Sequence, residues 1–128
     1  MRPTVLNFVI GLALMIPVAA VAADITDIAG TWSGNWTPKG GIIDAATVEI
    51  RVEGGKVMGK FRTPVAMDFT RATFDPKTGN VSLEAKDPKS GHLYKLDGKL
   101  SGSDIKGTMT VGTTPGEVLL IKWTYIPR

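Results

Sequence analysis

The chain has 128 residues, no cysteine and a single histidine, His92. No disulfide can form, and the usual sulfur and imidazole ligands of a transition metal are reduced to one candidate donor. The same scarcity leaves a serine nucleophile with one candidate base, and Ser33, Ser82, Ser90, Ser101 and Ser103 lie in no nucleophile motif. No glycine-rich turn precedes a stretch of helical spacing, so a phosphate-cradling loop is missing. Charges of both signs are interspersed, as in Glu49, Arg51 and Glu53, and no basic stripe could follow a nucleic-acid backbone. The expectation is a protein with no metal, no cofactor, no nucleic-acid partner and no catalytic residues.

Long apolar runs are confined to the N-terminus. Arg2 supplies a positive start, Phe8 to Ile16 form an apolar core, and Pro17 breaks it before the small residues Val18 to Ala23. This is the layout of a secretory signal peptide over residues 1–23, cut after Ala22 or Ala23. The apolar core is short for a membrane span, so no span is expected once the leader is removed. Cleavage after Ala23 leaves residues 24–128 as one domain with net charge +2, exported to the periplasm or secreted. A domain of that size buries roughly 65% of its unfolded surface, enough to fold without disulfides.

What the rest of the chain does have is alternation. From Gly30 onward apolar and polar residues exchange with a period of two, and turns rich in Gly, Pro and Asp interrupt them. Strands are predicted at about 29–36, 47–53, 56–62, 67–74, 81–85, 92–100, 105–111 and 119–125. In the fourth, Met67 and Phe69 share one parity while Ala72 and Phe74 share the other, which calls for a β-bulge near Thr70-Arg71. Every connection is short enough for antiparallel neighbours. The fold class is all-β: an eight-stranded antiparallel up-and-down meander barrel. Membrane barrels need strands of about nine to eleven residues and turn their apolar side outward. The strands here are shorter and one face is dense in Lys, Glu and Arg, so the apolar side is expected inward.

Seven side chains are then expected to face the interior as a ligand wall: Trp32, Trp36, Phe61, Tyr94, Met109, Trp123 and Tyr125. Aromatics with a polar handle combine apolar area with one hydrogen-bonding group. The same side chains could instead fill a small barrel as packing. Non-catalytic binding of a small apolar or amphipathic ligand is the first functional expectation. The alternative is an envelope protein-interaction or structural module with a fully packed interior. A hydrolase or isomerase comes third, and Asp68 and Arg71 at the phase slip are the ionisable groups to inspect.

At Gly30-Thr31-Trp32 the chain resembles the opening strand of the calycins, the group of lipocalins and avidins, whose first strand carries Gly-x-Trp. The resemblance implies a calycin-like barrel with Trp32 plugging one end. In lipocalins a basic residue of the last strand covers that Trp, and Lys122 or Arg128 would supply it. Avidins use an Asn two positions after the Trp and a Gly-Ser pair for biotin; here Gly34 and Asn35-Trp36-Thr37-Pro38 stand there, so biotin binding is not implied. The Thr-Asp loop of lipocalins is missing as well. The barrel and its plug carry over, and no ligand does.

Overall fold

A computed structural model describes residues 24–124. The leader assigned to 1–23 and the wall residue Tyr125 lie outside the described residues. The described chain enters through a 3₁₀ turn, Ile25–Ile28, which alternation did not foretell. Here the Asp24 N–H donates to the Asp27 carboxylate at 2.9 Å. Eight strands follow: β1 Gly30–Pro38, β2 Asp44–Glu53, β3 Lys56–Thr63, β4 Met67–Phe74, β5 Asn80–Lys86, β6 Leu93–Ser101, β7 Asp104–Val111 and β8 Thr114–Lys122. Each pairs antiparallel with the next, and β8 returns to β1 to close the barrel. Closure leaves no free sheet edge between first and last strands, because Trp32 to Pro38 pair with Lys122 to Gly116. The shortest ladder joins β3 and β4, at Lys60↔Asp68 and Phe61↔Met67.

Alternation decides what lies inside. Val48 and Ile50 of β2 are buried while Arg51 and Glu53 are exposed. Apolar side chains fill the middle and Lys, Glu and Arg face outward, the reverse of a membrane barrel. The bulge is present: register with β5 shifts between Phe69 and Arg71. One extra residue at that point lets Met67 and Phe74 both be buried despite opposite parity. Two strand glycines let the small barrel coil tightly. A Cβ on Gly34 would collide with the Leu119 carbonyl oxygen, and one on Gly107 with the Asp97 carbonyl.

The two Asp-Pro-Lys turns are one solution used at opposite ends of β5. The carboxylates of Asp75 and Asp87 accept the N–H of Lys77 and Lys89, each at 2.9 Å. Thr78 and Ser90 hydroxyls accept the N–H of Asn80 and His92. Such side-chain mimicry of a backbone turn is why Asp leads these segments. Asp87 also accepts from the Ser90 hydroxyl at 2.9 Å. The Lys89 N–H, then the Ser90 hydroxyl, hold its carboxyl below the usual aspartate value. A depressed folded pKa gives stabilisation that is complete above the unfolded value of about 3.9 and lost as pH falls through the folded one. Asp87→Asn is therefore expected to flatten the fall of Tm between about pH 5 and about pH 2. Thermal melts across that range check it; parallel profiles for variant and parent would contradict it.

The eighth strand departs from the sequence reading. The sequence pattern places this strand at about 119–125 with Trp123 and Tyr125 inside. Instead the chain reverses at Gly112-Thr113, with Gly112 at φ +65° and Val111 paired to Thr114. Residues directly opposite each other share a face, so inward Met109 and Ile105 dictate that Gly116 and Leu120 point inward. Val118 and Leu120 are buried, and Leu119, Ile121 and Trp123 are exposed. Both parities of this strand carry apolar residues, and the larger side chains lie on the outer one. Register overrules size.

Candidate functional site

Five of the side chains expected to form the wall do face the interior. Trp32, Phe61 and Met109 have no exposed surface, and Trp36 and Tyr94 retain 8% and 7%. Trp123 does not join them: it is 67% exposed on the outer face, for the register reason above. The inward five fall into two groups.

The first seals the end that carries the 3₁₀ turn. Trp32 lies beneath that turn and its indole N–H donates to the Ile28 carbonyl at 2.9 Å. Lys122, the inward parity position at the close of β8, reaches over the ring with its Nζ 5.4 Å from the centroid. The same ammonium donates to the Asp27 carbonyl at 3.1 Å. The turn, the indole and the last strand are thereby tied together by one cation.

The second group lies toward the opposite rim. The Trp36 indole N–H passes over Gly116 of β8 to donate to the Met109 carbonyl of β7 at 2.8 Å. Phe61 meets Phe69 edge to face at 5.4 Å and 85°, and lies 6.0 Å from Tyr94. Burial raises the Tyr94 phenol above its ordinary pKa, and the charges of Asp87 and Asp44 add to the effect. Both buried indoles thus spend their donors on the barrel's own backbone. Among the described residues, Asp87 is the one buried charged side chain, and its carboxylate is occupied by its own turn.

Asp68 and Arg71 are both exposed, so the phase slip brings no ionisable group inside. Glu49 and Arg62 form an ion pair across β2 and β3 at 2.5 Å, which lowers the Glu49 carboxyl. That pair is on the outer face and solvated. Among the described residues no three His, Asp or Glu side chains gather as metal ligands, and no helix is long and apolar enough to cross a membrane.

Grooves of ligand size occur on the exterior. One of about 560 Å³ crosses β5, β6 and β7 beside Ser82, whose hydroxyl donates to Asp97 at 3.0 Å. Another of about 500 Å³ lies at the rim between Pro38, Lys39 and Pro115. Neither is lined by any of the five inward wall residues, although Phe74 borders the first.

The sequence reading missed an apolar strip on the outside. Leu119 and Ile121 on the outer face of β8 and Trp123 just past its end follow one another with exposures rising from 40% to 67%. Ile43, from the β1–β2 loop, continues the line, since it shares a groove of about 370 Å³ with Leu119. Carrying inward parity from β7 through an even-numbered hairpin would have revealed it from sequence. With this geometry in view, comparison with known proteins finds no family model, curated protein or solved structure that matches the chain.

Proposed function

We propose that this is an exported, non-catalytic, calycin-like barrel with a packed interior, acting through its outer surface as a protein-interaction or structural module of the envelope. The observation that carries the reading is the use of both buried indole donors on backbone carbonyls, Trp32 on Ile28 and Trp36 on Met109. A ligand wall keeps a few polar groups aimed at its guest; here both indole donors are consumed by the fold. The calycin-like assignment draws support from Gly30-Thr31-Trp32 and from Lys122 lying over the Trp32 ring. Export draws support from the leader pattern of residues 1–23.

A second reading keeps a ligand at the rim. It is favoured by the Phe61, Phe69 and Tyr94 cluster under a rim that carries exposed Ile42, Ile43 and Leu93. Titration with anilinonaphthalene sulfonate and a series of fatty acids separates the two, read by tryptophan emission. The packed reading expects no saturable change. A one-to-one saturable change that Tyr94→Ala abolishes would overturn it in favour of the rim ligand.

A further inference from the structure

Six large apolar side chains stand out as exposed among the described residues, and Ile43, Leu119, Ile121 and Trp123 of them form the strip along β8. Contiguous apolar surface rimmed by polar groups marks an interaction site. We infer that this face docks a second copy of the chain, two β8 strands packing antiparallel face to face about a two-fold axis. The inference rests on the surface-acting reading above and names the partner.

Charge placement selects that occupant. On β7, Asp104 lies opposite Ile121 and Lys106 lies opposite Leu119. All four point outward, so the strip has an acidic flank at one step and a basic flank at the next. A two-fold axis perpendicular to β8, passing between the faces near Leu120, exchanges those steps. It sets Leu119 against the second copy's Ile121 and Asp104 against the second copy's Lys106, and each contact occurs twice. On the β1 side, Ser33 opposite Ile121 and Asn35 opposite Leu119 exchange in the same way, bringing hydroxyl to amide. Trp123 keeps its backbone N–H on the Thr31 carbonyl at 2.8 Å, which holds its ring on this face. The antiparallel arrangement carries that ring toward the second copy's Ile43. An isologous contact requires such self-complementarity. A partner of uniform charge would meet one favourable and one repulsive flank.

A stable interface needs about 800 Å² per partner, and the curvature of a small barrel limits contact to a few strands. The dimer is accordingly weak, with a Kd on the order of tens of micromolar. Sedimentation velocity of the purified protein across concentrations from well below to well above that value should show a reversible monomer–dimer equilibrium. Ile121→Lys should abolish it. Asp104→Lys and Lys106→Asp should each weaken it about tenfold, and the two together should restore it to near the parent value. Near-ultraviolet circular dichroism of each variant verifies the fold, and all three positions lie on the outer face, outside the packed core. A parent that stays monomeric throughout overturns the inference, as does a dimer indifferent to Ile121→Lys or a double variant as weak as the singles. Saturable ligand uptake would instead overturn the packed interior and leave the dimer standing; a monomeric parent would leave the packed interior standing.

Discussion

Gly107→Val is expected to leave the protein unfolded or barely folded, with cooperative thermal unfolding lost. Gly107 of β7 faces Gly98 of β6 in register. Its Cβ would collide with the Asp97 carbonyl oxygen and come within 2.5 Å of the Gly98 Cα. These are backbone atoms, so no side chain can swing aside, and relief requires two laddered strands to part. Overpacking costs about 1–3 kcal/mol when side chains can adjust, and this site stands beyond that range. A domain stabilised by about 5–15 kcal/mol in total has little to spare. Calorimetry of the variant checks it, and a Tm within a few degrees of the parent would show that β6 and β7 do not approach as described.

Trp32→Ala is expected to cost about 3–5 kcal/mol, the range for deleting a buried large aromatic. The substitution also frees the Ile28 carbonyl from its 2.9 Å partner and removes the ring under the Lys122 ammonium. Three elements lose their common contact at once: the 3₁₀ turn, β1 and the end of β8. Trp123→Ala, the same change on an exposed side chain, is expected to shift stability by no more than about 0.5 kcal/mol. Urea unfolding of the pair checks the contrast. Equal losses would mean that Trp123 is packed inside after all.

Period-two alternation made most of the barrel legible because burial on one face and solvation on the other leave a direct trace in residue order. Strand β4 was readable down to its bulge, since Met67 and Phe74 could not otherwise both be inside. Its bounds, Met67–Phe74, coincide with the expected strand. The 3₁₀ turn was not readable: four residues carry no period, and its hold on Trp32 is a long-range contact. Strand β8 misled because hydrophobic size is ambiguous where both faces are apolar. Thr113 to Gly116 have turn composition, yet Gly112 alone supplies the positive φ the reversal uses. Pro115 and Gly116 then lie inside the strand, and Pro115 is tolerated where pairing to β1 has already ended at Gly116.

The same distinction explains the site. Inward aromatics were identifiable from parity, and the sequence left open whether they line a cavity or fill one. That question turns on where the indole donors go, and the Trp36 bond to Met109 spans strands far apart in sequence. The outer strip needed register, which single-strand patterns do not carry.

The central claim, a barrel filled by its own side chains with one tryptophan outside, is tested most directly by fluorine NMR of protein labelled with 5-fluorotryptophan. Three resonances are expected. One, lost in Trp123→Phe, should shift when H₂O is replaced by D₂O, and the Trp32 and Trp36 signals should ignore both the solvent change and saturating fatty acid. Solvent-sensitive signals from all three rings, or a saturable fatty-acid shift at Trp36, would contradict the account.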